Sequence, residues 1–366
     1  MRRGLKKIAI DVRMMWSSGI GSYIRNLIPG VMTHYPSYQF YLLGRTADME
    51  RCEGFNQTNT RWIEVRSNIF TISEQLEIYK KIPNDTNLFW VPHYNFQLLY
   101  RGKWMATIHD VLHLAMGKQV PGPHRWLYAQ FMFRRLARKA HRMLCVSSFT
   151  RDELTRWTHG DPDLMRVIHN GVDSSWFEIV KGPKSPHPKP YLLFVGNVKP
   201  HKNLVRLLKA FTLLKDRIPH DLVLVGKKEG FIIDDDKVFK EAEQLGDRVH
   251  FTGLIDEKIL KQYYVHAGLM VFPSLYEGFG LPPLEAMACG CPVAVSRTAS
   301  LPEVCADAVL YFDPFSPKDM AEKIRTIISD PKVRDTLVQK GLLRAKQFSW
   351  DRSVLQTCQV IDELLI

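Results

Sequence analysis

Short apolar runs of strand length alternate with helix-period stretches along this chain, stop at one segment that has nothing to bury, and then begin again. Apolar or β-branched runs fall at 8–12, 40–43, 62–65, 88–91, 105–108 and 143–146, with amphipathic segments near 20–33, 72–82, 122–140 and 148–158 between them. This order dictates parallel sheets covered by helices, since parallel neighbours need a long crossover connection. The run Lys181-Gly182-Pro183-Lys184-Ser185-Pro186-His187-Pro188-Lys189-Pro190 breaks the rhythm with ring-constrained and charged residues. Strand-like runs then resume at 191–195, 222–225, 249–252, 269–272, 293–295 and 309–312. The reading is an α/β chain of two doubly wound, Rossmann-like domains, 1–178 and 191–349, joined by a linker at 179–190 and facing each other across a cleft. Ligands of such folds bind outside the carboxyl ends of the strands. The closing stretch 351–365 reads as one amphipathic helix.

A length of 366 residues suits two domains, each able to bury its own core. No run approaches the roughly 18 apolar residues of a membrane-spanning helix. The basic start Met1-Arg2-Arg3-Gly4-Leu5-Lys6-Lys7 is followed by an apolar run too short for a signal-peptide core and closed by an acid, so a cytoplasmic chain is expected. Six cysteines without metal-ligand spacing read as thiols in a reducing compartment, and no histidine pair has HExxH-type spacing, so no zinc site is visible. The net charge of +12 calls for polyanionic partners: nucleotide diphosphates, anionic lipid or nucleic acid. The last lacks any aromatic-basic, zinc-finger or helix-turn-helix signature, and no nucleic acid is expected.

Glu277 and Glu285 lie in a segment where the apolar run 269–272 enters a glycine-containing loop, Gly278-Phe279-Gly280-Leu281, then a Pro282-Pro283 pair suited to a first helical turn, then a short helix stopped by Gly290. Such a loop turns backbone N–H groups and the positive end of a helix toward one spot, where a phosphate would be held. Carboxylates flanking a phosphate cradle find their natural ligands in hydroxyls. A diphosphate between hydroxyl-rich groups is a nucleotide sugar. The plainer reading is a first-turn glutamate that complements the helix dipole.

The Glu-x7-Glu segment and the following Glu285-Ala286-Met287-Ala288-Cys289-Gly290-Cys291-Pro292-Val293 resemble the signature of glycosyltransferase family 4. The resemblance extends in order through Gly19-Ile20-Gly21, Ile108-His109-Asp110, His169-Asn170-Gly171-Val172-Asp173, Gly196-Asn197-Val198-Lys199-Pro200-His201-Lys202-Asn203 and Leu301-Pro302-Glu303-Val304. It implies a GT-B fold, a retaining hexosyl transfer, and a last helix that crosses back to the first domain. Among such enzymes the chain looks most like bacterial mannosyl- and rhamnosyltransferases of surface-polysaccharide assembly. GDP-mannose is the favoured donor, UDP-sugars come next, and the acceptor is a glycan, lipid-linked in that setting.

The resemblance also assigns roles. Lys202 matches the family's phosphate-binding lysine, whereas Asn197 stands where an arginine is usual, with Lys199 as the candidate substitute. Glu285 would hold the donor ribose, and Glu277 would face the transferred sugar beside the N–H groups of Phe279, Gly280 and Leu281. Gly19 and Gly21 would let backbone approach the donor phosphates or acceptor; the third glycine of a dinucleotide fingerprint is replaced by Ile24, which weakens a dehydrogenase reading. A lone histidine is more often structural, but His109 at a strand end matches the family's active-site histidine, with contact to the sugar or its developing charge. The catalytic set is thus His109, Glu277 and Lys202, with the leaving phosphate taking the acceptor's proton and catalysis resting on positioning and charge stabilisation. His93 and Asn95 are candidates for the acceptor side. A glycosidase acid–nucleophile pair has no use for a phosphate cradle. Asp234-Asp235-Asp236 reads as a solvated turn, so no cofactor and a metal-independent reaction are expected.

The stretch 124–142 combines aromatics with Arg134, Arg135, Arg138, Lys139 and Arg142. One reading is a core-packed helix with a solvated basic edge. The other is peripheral docking of the enzyme on the anionic inner membrane face.

Overall fold

The computed structural model describes residues 5–49, 51–117, 123–227 and 235–366. Contacts divide the chain into two compact units, Met1–Gly171 with Trp350–Ile366, and Val172–Ser349. The run at 231–233 and Asp234 lie outside the described residues.

In the first unit, strands β1 (Lys7–Asp11), β2 (Gln39–Gly44), β3 (Thr60–Glu64), β4 (Leu88–Val91), β5 (Trp104–Ile108), β6 (Arg142–Cys145) and β7 (Met165–Val167) form one parallel sheet in the order β3-β2-β1-β4-β5-β6-β7. The strand order reverses between β1 and β4, which makes their carboxyl ends the switch point of the sheet. Strand β7 is absent from the sequence reading, because three residues at a sheet edge are too few for a period. The helix expected from about residue 20 begins at Ser18, so Gly19 and Gly21 sit within its first turn and not in a loop before it.

Helix Trp350–Leu365 packs on helix Ser18–His34 in this unit, where Val354, Cys358 and Ile361 are buried. The two helices approach closely enough that a Cβ on Gly30 would lie 2.6 Å from Val354 Cγ2. Tyr35 Oη lies 2.8 Å from the Cys358 carbonyl and 2.9 Å from Asp362 Oδ1, fixing the register of the pair. Each fully buried large apolar side chain here contributes about 1.5–3 kcal/mol.

The second unit holds β8 (Tyr191–Val195), β9 (Asp221–Val225), β10 (Val249–Gly253), β11 (Leu269–Phe272), β12 (Val293–Ser296) and β13 (Leu310–Phe312), parallel in the order β10-β9-β8-β11-β12-β13. Its switch point lies between β8 and β11. Residues 172–190 pack within this unit: Trp176 is buried edge-on against Tyr264, Gly182 N–H donates to Gln262 Oε1 at 3.0 Å, and Val172 bridges to Ser349. The division therefore falls at 171/172, upstream of the expected linker at 179–190, because Val172 and Trp176 supply apolar anchors that the breaker-rich segment lacks.

Candidate active site

In the second unit the switch point brings together two loops far apart in sequence. After β8 the chain passes Gly196, at φ 153°, and Asn197, then makes a single helical turn, Pro200–Lys202. Asn203 follows in the left-handed conformation, and its buried side-chain NH2 donates to the Pro273 carbonyl at 3.0 Å and the Pro314 carbonyl at 2.8 Å. Leu275 N–H donates to the His201 carbonyl at 2.7 Å. These bonds tie the Lys202 loop to the loop leaving β11. Asparagine is one of the few residues other than glycine that readily takes this backbone conformation, and here its side chain serves as the tie.

Lys202 Nζ lies 2.6 Å from Glu277 Oε1, with both side chains mostly buried, and 5.2 Å from the Phe272 ring centre. Burial opposes ionisation of Glu277, but the Lys202 charge prevails and holds the carboxyl below its ordinary range. An ammonium has three N–H donors, so Lys202 can hold Glu277 and still serve an anion. Two residues that the family resemblance assigns to different parts of a donor are thus hydrogen-bonded to each other.

Gly280, at φ 98°, starts helix Leu281–Ala288 with a proline in its first turn. Only glycine fits: beyond the backbone angle, a Cβ there would lie 2.8 Å from Leu301 Cδ2. The loop before it is held by hydroxyls that alternate along the chain from the last residue of β12 onward. Ser296 Oγ lies 3.5 Å from the Phe272 carbonyl, Thr298 Oγ1 3.1 Å from the Ser274 carbonyl, and Ser300 Oγ 3.0 and 2.9 Å from the Glu277 and Phe279 carbonyls. With carbonyls turned to these hydroxyls, the loop is fixed in place ahead of the helix N-terminus. The Phe279 side chain is buried edge-on against Phe348, so this residue can offer a ligand only its backbone.

Glu285 lies beyond the first turn, which contains no acid, and so complements the helix dipole little; the plainer sequence reading does not describe it. Burial raises its carboxyl to about 7, against a 3.2 Å hydrogen bond from the buried Tyr264 hydroxyl. It takes part in no ion pair among the described residues. The nearby cation, Lys261, is engaged elsewhere, with Glu257 at 2.8 Å and Ser175 Oγ at 2.7 Å. A partly exposed carboxyl that burial has raised this far gains from any ligand that donates hydrogen bonds to it.

Asn197 accepts from Lys227 N–H at 3.2 Å through Oδ1, across the close approach of two strand ends where a Cβ on Gly226 would meet the Gly196 carbonyl oxygen at 2.1 Å. Lys199 is exposed. Gly278 is buried in the held loop.

In the first unit, His109 follows β5. Its Nε2 lies 3.1 Å from the Pro92 carbonyl, which can only accept, so Nε2 carries the proton and Nδ1 presents a lone pair. Burial, with a smaller contribution from His93, lowers this imidazole to about 4, and it is neutral at physiological pH. Tyr23 packs edge-on at 4.9 Å. A Cβ on Gly19 would meet nothing within 4 Å, whereas one on Gly21 would meet the Met15 carbonyl oxygen at 2.6 Å. Gly21 is therefore required by the fold, and Gly19 leaves open space.

His93 and Asn95 do not line an open surface. His93 Nε2 lies 3.1 Å from Asp11 Oδ2, its Nδ1 accepts from Asn95 N–H at 3.2 Å, and Asn95 Nδ2 donates to both oxygens of Glu74 at 2.8 and 2.9 Å. Arg13 Nη2 lies 2.6 Å from both Asp11 Oδ2 and Glu74 Oε1, closing a buried network at the β1 and β4 ends. Sequence reasoning missed this network, since its members come from three separate segments. It also missed the tie made by Asn203, quoted only as the end of a longer motif, and that made by Ser300, whose one cue is the alternation of hydroxyls at 296, 298 and 300.

The model of the glycosyl transferases group 1 matches residues 177–344, and that of Glycosyltransferase Family 4 matches residues 84–176. The chain is 33% identical over 278 residues to the O-antigen chain mannosyltransferase B of Escherichia coli, covering 72% of this chain and 71% of that protein. It is 27% identical over 263 residues to the serotype-specific mannosyltransferase WbdA of Escherichia coli, covering 68% of this chain but 32% of that one. Its fold matches that of a sucrose-phosphate synthase from Thermosynechococcus elongatus with a TM-score of 0.79 at 21% identity, over 98% of this chain and 99% of that one. The chain belongs to glycosyltransferase family 4, has the GT-B fold of two Rossmann-like units, and is a glycosyltransferase.

Proposed function

We propose that this enzyme transfers mannose from GDP-mannose to a growing, lipid-linked glycan of a cell-surface polysaccharide, with retention at the anomeric carbon. The Lys202–Glu277 pair at the β8/β11 switch point, beside the helix N-terminus at Gly280, carries the reading. Lys202 and the N–H groups of Gly280 and Leu281 bind the diphosphate, and Lys199 adds charge at the mouth where Asn197 cannot. Glu277, kept ionised by Lys202, accepts hydrogen bonds from hydroxyls of the transferred sugar, and Glu285 accepts from the ribose. The relative that shares a third of its residues is named a mannosyltransferase, and this favours mannose over the glucose of UDP-dependent enzymes.

His109 accepts a sugar hydroxyl through Nδ1. A neutral imidazole cannot offset positive charge by itself, so its part is orientation. As the diphosphate departs, Lys202 and the helix end stabilise its growing charge, and a leaving phosphate oxygen takes the acceptor's proton. These residues neutralise a diphosphate without a divalent ion, and turnover is expected to persist in EDTA.

Peripheral membrane docking belongs to the same proposal. No helix among the described residues is long and apolar enough to cross a membrane. Helix Pro123–Lys139 buries Met132, Phe133 and Leu136 and exposes Leu127, Phe131, Arg134, Arg135 and Arg138 along one stripe. Beside it lies a cavity of about 720 Å³ lined by Tyr79, Leu98, Leu99, Arg101, Arg135 and Lys139. Exposed large apolar side chains among arginines suit an anionic bilayer surface, each cation contributing about 1 kcal/mol there. A thermal-shift screen of GDP, UDP, dTDP and ADP tests the donor: GDP should raise the melting temperature most. A preference for UDP would replace GDP-mannose by a UDP-sugar.

A further inference from the structure

At the opposite end of the second unit's sheet, three residues distant in sequence converge. Asp221 opens β9, His250 is the second residue of β10, and His187 lies in the segment leading to β8. His187 Nε2 lies 2.9 Å and His250 Nε2 3.3 Å from the same oxygen, Asp221 Oδ2, and the three atoms fall within 4.8 Å of one another. A tetrahedral Zn2+ with bonds of about 2.0–2.1 Å spaces its ligand atoms about 3.3 Å apart, so one ion placed among these atoms needs only small shifts.

Two further observations favour an ion over a mere hydrogen-bonded trio. His250 Nε2 is itself shielded from solvent and, although 3.3 Å from Asp221 Oδ2, meets no partner in hydrogen-bond geometry among the described residues. The second carboxylate oxygen, Oδ1, is held at 2.8 Å by Arg248 Nε, and Arg248 is anchored in turn on the Ile218 and His220 carbonyls at 3.1 and 2.6 Å. That is the outer-shell arrangement that orients a metal-binding carboxylate. Lys189 Nζ, 3.7 Å from Oδ2, stands on an exposed side chain and is free to swing away.

We propose that His187, Asp221 and His250 form a binding site for a first-row divalent cation of zinc type, with a fourth position open to water. Two imidazoles and one carboxylate are the donor set such ions select, whereas Mg2+ and Ca2+ prefer oxygen ligands. The site is structural. It fastens residues 181–190 to the amino ends of β9 and β10, a strand length of roughly 16 Å from the Lys202–Glu277 end of the sheet. The segment 181–190 is rich in proline and charge and buries little, so a metal clip supplies the hold that packing does not.

The test uses the full chain, stripped with EDTA and dialysed, then titrated with Zn2+ by calorimetry and with Co2+ by visible absorption. The expected result is one Zn2+ per chain, tetrahedral Co2+ bands that Zn2+ displaces, and a higher melting temperature. His187→Ala and His250→Gln should each weaken binding by about tenfold or more. His250 is half-exposed, so its substitution should leave the fold intact, and His34→Gln, at an exposed site elsewhere, should bind like the parent. Absence of stoichiometric binding, or equal affinity in parent, His187→Ala and His250→Gln, would overturn the site.

Discussion

Glu285→Gln should stabilise the protein while weakening its hold on the donor, and pH should separate the two effects. The carboxyl titrates at about 7 in the folded chain against an ordinary value of 4.5, because burial disfavours its charge. At 1.36 kcal/mol per pH unit the gap corresponds to a ceiling of about 3 kcal/mol. Water reaching the partly exposed side chain screens part of this, leaving about 1–3 kcal/mol. The sign follows from proton uptake: between pH 4.5 and 7 the folded state holds the proton more tightly, so stability falls as pH rises. The penalty is complete above the folded value and absent below the unfolded one. Glutamine carries none of it. Melting temperatures of parent and variant should therefore nearly coincide at pH 4.5 and diverge at pH 8, where the variant melts several degrees higher at about 2–4 °C per kcal/mol. Nucleoside diphosphate affinity, measured by calorimetry at pH 8, should fall about tenfold, since a charge-assisted bond to ribose becomes a neutral one. A variant less stable at pH 8, or a melting difference the same at both pH values, would refute the reasoning.

Lys202→Ala should reduce both donor affinity and turnover, and it should destabilise the fold by about 3 kcal/mol near neutral pH by leaving Glu277 buried without its cation; the loss should shrink in acid as Glu277 takes a proton, which denaturation at two pH values would reveal. Ser300→Ala strips a hydroxyl from the Glu277 and Phe279 carbonyls and should cost about 1–3 kcal/mol of stability, read from urea midpoints. His109→Ala should lower kcat with little change in nucleoside diphosphate affinity, and because this imidazole titrates near 4, the parent's rate profile should show no step from it between pH 5 and 8. Replacing Arg134, Arg135 and Arg138 by Glu should abolish co-sedimentation with anionic liposomes at low salt; a parent that stays in solution with such vesicles would refute membrane docking.

The two parallel sheets were legible because a buried parallel strand reads as an unbroken apolar run, as at 191–195 and 269–272, whose bounds the structure reproduces. The placing of Glu277, Glu285 and Lys202 around the second unit's switch point was legible through local cues, glycine before a proline-led helix and a lysine just past a strand end, whereas the roles given to them come from the family resemblance. What the sequence concealed depends on contacts between distant segments. No periodicity announces that Lys202 would meet Glu277 or that His93 and Asn95 would be consumed by Asp11 and Glu74. The His187, Asp221 and His250 cluster escaped for the same reason, since 34 and 29 residues separate positions that adjacent strands bring side by side. The helix expected from about residue 20 starts at Ser18 because Gly21, having no Cβ, lets the first turn pass close by the Met15 carbonyl.

The most direct test of the proposed activity is the transfer reaction itself. The enzyme would be incubated with a lipid-linked mannan oligosaccharide and, in parallel, with GDP-mannose, UDP-glucose or dTDP-rhamnose, and the new linkage read from its anomeric NMR signals. Extension with GDP-mannose is expected, in EDTA as well as without it, and a product that keeps the donor's α configuration. An inverted β product, or extension by UDP-glucose alone, would contradict the proposed activity.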